Sequence, residues 1–289
     1  MEQIKGIMFD VDGCLVLSDK PSGESGTALP GAAELLRELR AAEIPIVVFT
    51  NGSSRTPTAI ADELRRVGLD VRDDEVLTPA IVAAQVLRDR HPGGRVLAFG
   101  GTGVTGPLLA AGIDVMDVES AISRKAEDVA AVVVGWDTEF GRAKIQAAAE
   151  ALHGGAALYC TSDAPAFASR GRLNVGVSGF IAVGLQHVTG VPYELVGKPA
   201  DAAMTEIARR LSAEPDEILI VGDDLTLECS MARRHGALAI LITTGMTSRA
   251  QAEAADGEAS PHHIVDSMFD LSTVLAPLLN SRNTVPAGR

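Results

Sequence analysis

An α/β fold on a parallel sheet, interrupted by a second and smaller α/β unit, is what the sequence predicts, on three observations. The first third alternates short apolar, β-branched runs with amphipathic helical stretches over short connections, which is the pattern of strands whose crossovers are helices. The last third returns to that pattern. The middle third carries alanine-rich helical stretches between short apolar strands and belongs to a unit of its own. No low-complexity tether or internal repeat separates the parts. The expectation is therefore a Rossmann-like core formed by residues 1–77 and 193–289, with an α/β cap domain, residues 78–192, inserted into it.

In the first third, the apolar run Ile4 to Phe9 stops at Asp10-Val11-Asp12-Gly13, and the stretch Val16 to Thr27 reads as a loop. Leu35, Leu36 and Leu39 recur at helical spacing within Ala32 to Ala42. Pro45 to Phe49 is a second strand, halted at Thr50-Asn51-Gly52, and Thr58 to Val67 a second helix, stopped by Gly68. The middle third reads as helices over Ile81 to Arg90 and Ala143 to His153 and strands over Arg95 to Phe99, Val129 to Val134 and Ala157 to Cys160. A polar stretch, Ser169 to Gly179, leads into a helix over Phe180 to Val188. In the last third, Val196-Gly197-Lys198-Pro199 opens a helix over Ala200 to Leu211. Strands over Glu217 to Val221 and Leu238 to Ile242 end at Gly222-Asp223-Asp224 and Thr243-Thr244-Gly245, and a weaker strand, Ile264 to Leu271, precedes a helix to Leu279 and a disordered tail after Asn280.

The formal net charge of -13 offers no basic face to nucleic acid or an anionic membrane, although a small anion can still meet locally gathered cations. Cys14, Cys160 and Cys229 are odd in number and far apart, which excludes a disulfide framework and a CxxC metal site and points to a reducing cytoplasm. No signal-peptide run and no apolar stretch of about 18 residues marks a membrane segment.

Ligands of open parallel sheets bind outside the carboxyl ends of the strands. Three strands of the flanking thirds end at Asp10, Thr50 and Asp223; if they are neighbours, acids and a hydroxyl converge on one crevice. In an extended backbone Asp10 and Asp12 point the same way, and two carboxylates so close need a cation or a proton between them. Oxygen ligands without His or Cys suit a hard cation, and Mg²⁺ with a few carboxylates and a substrate phosphate fits best. Lys198, between Gly197 and Pro199, can bring a positive charge to the same rim.

These residues resemble the haloacid dehalogenase-like hydrolases. The ordered motifs of that family are matched by Asp10-Val11-Asp12-Gly13, Thr50-Asn51-Gly52, Lys198, and Gly222-Asp223 with Glu228. The insertion between the second and third motifs is similar to the large α/β (C2-type) cap of NagD-type and p-nitrophenyl phosphatase-like proteins. The resemblance implies a Mg²⁺-dependent phosphomonoester hydrolase acting on small phosphorylated metabolites. In it Asp10 is the nucleophile that forms an aspartyl-phosphate, and Asp12 is the general acid and base. Thr50, Asn51, Gly52 and Lys198 hold the phosphoryl oxygens, and Asp10, the Asp12 carbonyl and Asp223 hold the metal. Asp224 or Glu228 orders the metal's waters. It also implies a homodimer formed through the cap. An acid at position 12 favours a phosphatase over a dehalogenase. Where cap relatives often carry Thr-Asn-x-Asp, this chain reads Thr161-Ser162-Asp163-Ala164, so the substrate does not follow from relatives.

A competing motif is Gly101-Thr102-Gly103-Val104-Thr105-Gly106, a GxGxxG after one strand and before a helix, Pro107 to Ala111. It offers an alternative, an NAD(P)-binding enzyme with Asp117 or Glu119 on the ribose, although Asp117 lies nearer the glycines than the usual distance of about 20 residues. A structural turn is the favoured account. A non-catalytic phosphometabolite sensor is the remaining alternative, and the intact Asp12 argues against it. Trp136, Asp163 and Arg172 are candidate specificity residues of the cap; His153, His187 and His235 show no metal spacing.

Overall fold

A computed structural model describes residues 4–17, 26–116, 121, 128–169 and 172–283. The described chain divides into two compact units, one of residues 1–50, 61–77 and 204–289, the other of residues 51–60 and 78–203.

The first unit is organised by a six-stranded parallel sheet. Its strands are β1 (Gly6–Phe9), β4 (Ile46–Phe49), β5 (Val76–Leu77), β13 (Ile218–Gly222), β14 (Leu238–Ile242) and β15 (His263–Val265), in the order β15-β14-β13-β1-β4-β5. Strands β1, β4 and β13 are buried along their whole length, as near-continuous apolar runs in a parallel sheet require. Leu35, Leu36 and Leu39 of helix Ala32–Ala41 and Leu271, Leu275 and Leu278 of helix Met268–Asn283 close the core beside them. From β1 the chain runs outward through β4 and β5, then returns to the other side of β1 as β13, so the order reverses at the central strand. That reversal is the switch point at which a crevice opens beyond the strand ends.

The second unit has its own parallel sheet, of β6 (Arg95–Phe99), β7 (Asp114–Met116), β8 (Val129–Val134), β9 (Ala157–Cys160) and β12 (Tyr193–Leu195), ordered β12-β9-β8-β6-β7. Leu97, Phe99, Val132, Val134 and Leu158 pack there against Ala147, Ala151 and Leu152 of helix Arg142–His153 and Ile181 and Leu185 of helix Val177–Thr189. Small antiparallel pairs complete the fold: β2 (Val16–Leu17) with β3 (Thr27–Ala28), and β10 (Ala166–Ser169) with β11 (Arg172–Val175).

Several sequence expectations need correction. Tyr193–Leu195 pairs in parallel with Leu158–Cys160, which holds the chain in the second unit as far as Ala203, beyond the expected boundary at 192. Residues 51–60 also fall in that unit, because helix Thr102–Ala110 packs on their backbone at Gly103. That helix begins at Thr102, not Pro107, and absorbs most of the glycine-rich motif. The last strand ends at Val265, and the terminal helix starts earlier, at Met268, and runs to Asn283; the tail beyond it lies outside the described residues, as do Asp117 and Glu119. Among the described residues, no helix is long and apolar enough to cross a membrane.

Candidate active site

The carboxyl edge of the first sheet is built by register. Phe9 lies opposite Val221 on one side and Val48 on the other, so Asp10 follows directly on the central strand while Asp223 and Thr50 end its two neighbours. The Asp10 N–H donates to the Val221 carbonyl (2.9 Å) and the Thr50 N–H to the Leu77 carbonyl (3.3 Å), which carries sheet pairing to the residues that bear the chemistry. Asp10 is 7% exposed, Thr50 7% and Asp223 4%, while Asp12 is exposed. The two acids of the Asp-x-Asp pair thus occupy different surroundings. The first is withdrawn from water beside a second buried acid, and the second is open to proton exchange.

Behind Asp10 the chain turns tightly: the N–H groups of Leu15 and Val16 both donate to the Val11 carbonyl (2.9 Å each) and the Gly13 N–H to the Val16 carbonyl (2.8 Å). Gly13 has φ 84°, a left-handed conformation that glycine adopts without penalty, and a Cβ there would run into the Asp223 carboxylate. Asp223 is held from the segment after β14. Its Oδ2 accepts the Met246 N–H (2.7 Å), its carbonyl accepts the Thr247 N–H (3.2 Å), and Gly245 lies so near that a Cβ would overlap the same Oδ2.

The two acids after Asp223 take separate tasks. Asp224 caps a π-helical turn, Leu225–Cys229, its Oδ1 accepting the N–H groups of Thr226 (2.7 Å) and Leu227 (3.1 Å). Glu228 is 1% exposed, its Oε2 accepts the Asp224 N–H (3.2 Å), and its side chain fills the space that a Cβ on Gly222 would need.

Within the second unit, Asn51 and Lys198 are clamped reciprocally: the Lys198 N–H donates to Asn51 Oδ1 (2.8 Å) and Asn51 Nδ2 to the Lys198 carbonyl (2.9 Å). Gly197 is needed there because Asn51 Oδ1 and the Thr161 carbonyl occupy the position of a Cβ. Lys198 is 2% exposed, a degree of burial lysine almost never shows unless paired. Ser53, which sequence reasoning passed over, accepts the Trp136 N–H (2.9 Å) and bonds to Thr161 (3.3 Å), fixing the Trp136 backbone. Asp163 accepts the Tyr193 hydroxyl (3.0 Å), and burial, followed by that bond, pushes the Tyr193 phenol up to about 12. Arg172 opens β11, with its side chain outside the described part of the structure.

The glycine-rich segment is structural. Its Gly103 faces the backbone of residues 53–55, where a pyrophosphate would need to approach, and the Gly100 N–H donates to Asp137 Oδ2 (3.0 Å).

The first unit's acids suit a hard cation. Among the described residues no cluster of three or more His, Cys, Asp or Glu side chains stands ready to hold a metal. The donors at hand are two carboxylates, Asp10 and Asp223, with main-chain oxygen, and this partial oxygen set fits Mg²⁺, which keeps several waters. Gly13 and Gly245 let the backbone approach the Asp223 carboxylate, where a Cβ on either would collide with it.

Residues 7–114 match the family model of haloacid dehalogenase-like hydrolases, and residues 195–271 match that of HAD-hydrolase-like proteins. The chain is 32% identical to human chronophin over 280 residues, covering 93% of this chain and 92% of that protein. Its structure is similar to 4-nitrophenylphosphatase from Thermotoga maritima, with a TM-score of 0.81, 25% identity, and coverage of 94% of this chain and 97% of that one. It is likewise similar to a glycerol phosphate phosphatase from Mycobacterium tuberculosis solved with magnesium, with a TM-score of 0.79, 26% identity, and coverage of 93% and 76%.

Proposed function

Since the chain belongs to the haloacid dehalogenase-like hydrolases, in their NagD-type, p-nitrophenyl phosphatase-like class, and is a phosphatase, we propose that it hydrolyses phosphomonoesters of small metabolites through an aspartyl-phosphate on Asp10, with Mg²⁺ as cofactor. The observation that carries the proposal is the position of Asp10. It stands at the end of the central strand, at the switch point, with Asp223 and Thr50 ending the strands on either side.

In the first half-reaction an Asp10 carboxylate oxygen attacks phosphorus as the bond to the leaving oxygen breaks, and Asp12 gives that oxygen its proton. In the second, water attacks the acyl phosphate at phosphorus, Asp12 takes the water's proton, and phosphate leaves with the Asp10 carboxylate restored. The exposure of Asp12 supports this division, because the leaving oxygen and the attacking water must both be able to reach its carboxyl. The Thr50 hydroxyl, the N–H groups of Asn51 and Gly52, and the Lys198 ammonium hold the phosphoryl oxygens. The Asp10 carboxylate, the Asp12 carbonyl and Asp223 would hold Mg²⁺, whose positive charge would let an anionic carboxylate meet an anionic phosphate. Glu228, rather than Asp224, is proposed to order the waters of that ion, since Asp224 is spent on a helical cap. The substrate is taken to be a small cytoplasmic metabolite, with no nucleic acid or membrane as partner, and two copies of the chain can form a dimer.

Phosphate release across a panel of phosphorylated metabolites, with Mg²⁺ and with a chelator, tests the proposal. Mg²⁺-dependent release from at least one small phosphomonoester is expected. Release from none of them, or undiminished release under chelation, would overturn it.

A further inference from the structure

The segment Thr244 to Thr247, which holds Asp223, also makes a contact that no role above uses. It leaves β14, the neighbour of β13, and reaches both acid-bearing turns of the first unit. Towards Asp223 it offers two amides, from Met246 to Oδ2 (2.7 Å) and from Thr247 to the carbonyl (3.2 Å). Towards the turn of Asp10 and Asp12 it offers a hydroxyl, since Thr244 Oγ1 donates to the Gly13 carbonyl at 2.6 Å. Between these contacts Gly13 and Gly245 bracket the Asp223 carboxylate so closely that a Cβ on either would collide with it, and a Cβ on Gly13 would also meet the Gly245 Cα at 2.9 Å.

We propose that Thr244 to Thr247 is a strap that sets the orientation of the Asp223 carboxylate and locks it to the Asp10–Gly13 turn, with Thr244 as its positioning residue. The inference rests on the phosphatase reading above. The physical need is plain. Two buried carboxylates at adjacent strand ends repel, and without restraint each would rotate or part from the other before a cation arrived. An amide on Oδ2 fixes the rotation of Asp223, and the Thr244 hydroxyl fixes the distance between the turns. Outer partners of this kind set the affinity of a metal site as well as its geometry. The hydroxyl matters rather than the volume, so Ser serves at position 244 and Val does not. At position 245 even one methyl group is excluded.

The test is calorimetric titration of Mg²⁺ into the full metal-free chain, with phosphate release followed in parallel. Thr244→Val is expected to bind Mg²⁺ about 10-fold more weakly and Gly245→Ala about 100-fold more weakly, in the range found for outer-shell changes, with Thr244→Ser close to wild type. Should Gly245→Ala fail to fold, Thr244→Val and Thr244→Ser decide the matter by themselves. Folded variants that bind Mg²⁺ as wild type does, while wild type binds the ion and releases phosphate, would overturn the strap alone. A wild-type chain that neither binds Mg²⁺ nor releases phosphate would overturn the functional reading and the strap with it.

Discussion

Both units carry a parallel sheet whose strand order reverses beside a central strand, and both place a buried acid at that reversal, yet the proposed chemistry uses only one of these places. In the second sheet the reversal lies at β6, between β7 and β8, and the acid is Asp137. Its carboxylate is saturated from within: Gly100 and Glu139 donate their N–H groups (3.0 and 2.9 Å), and Lys144 lies at 2.5 Å, its ammonium also 5.0 Å above the Phe99 ring. In the first sheet Asp10 and Asp223 end adjacent strands, and Gly13 and Gly245 pack so closely on the Asp223 carboxylate that a Cβ on either would collide with it. Similar strand orders thus hold buried acids in different ways, Asp137 by two amides and an ammonium and Asp223 by the backbone after β14.

Four substitutions sharpen or break that contrast. Asp10→Asn should lower turnover by about 10⁴-fold or more, because the amide cannot attack phosphorus, while the unfolding midpoint stays near that of wild type. Retained turnover in phosphate-release assays would show that the chemistry lies elsewhere. Asp12→Asn should cost about 10²- to 10⁴-fold, the usual worth of a positioned acid and base, and least for substrates whose leaving group needs no proton, such as p-nitrophenyl phosphate. Equal losses for alkyl and nitrophenyl esters would contradict its role. Asp137→Asn should do the reverse, costing about 3 kcal/mol in denaturant unfolding by stranding the Lys144 charge, with turnover of the folded protein unchanged.

The smallest effect concerns acid. Burial pushes the Glu75 carboxyl up, but hydrogen bonds from the Arg40 guanidinium and the Arg72 N–H outweigh it and hold Glu75 below the usual carboxylate range; Arg209 and Arg210 do the same for buried Glu206. A depressed folded-state pKa gives stability that is whole above the ordinary carboxylate pKa, about 4.3 for Glu, and is lost as pH falls through the lower folded value. Glu75→Gln should therefore cost about 2 kcal/mol at pH 7 and flatten the loss of stability below about pH 4. Denaturant unfolding at pH 7 and pH 3.5 reads both numbers.

The site strands were legible in the sequence because they are long, wholly apolar and cut off sharply: Ile7-Met8-Phe9 before Asp10, Val47-Val48-Phe49 before Thr50, and Ile220-Val221 before Gly222-Asp223. The strands Val76–Leu77, Asp114–Met116 and Tyr193–Leu195 were not, since two or three residues are too few to show a period. Asp224 and Glu228 were indistinguishable as letters. What separates them is a cap formed by backbone amides, which composition does not record. Backbone also does the work in the strap, where Met246 uses its N–H and not its side chain. A signal was nonetheless present, because Thr243-Thr244-Gly245 ends an apolar strand in small polar residues just as Thr50-Asn51-Gly52 does. The GxGxxG motif reads as a structural turn in preference to a nucleotide site. Its spacing is that of a dinucleotide loop, but its middle glycine, Gly103, packs against the backbone of residues 53–55, and the amide of Gly100 just before the motif is bonded to Asp137.

The central claim is that Asp10 becomes covalently phosphorylated. Borohydride added during turnover at saturating phosphomonoester and Mg²⁺ reduces an acyl phosphate to an alcohol and leaves free carboxylates intact, and peptide mass mapping then locates the change. Reduction at Asp10, absent without substrate, is the predicted result. An unreduced Asp10 in protein that is releasing phosphate, or reduction at a different carboxylate, would contradict it.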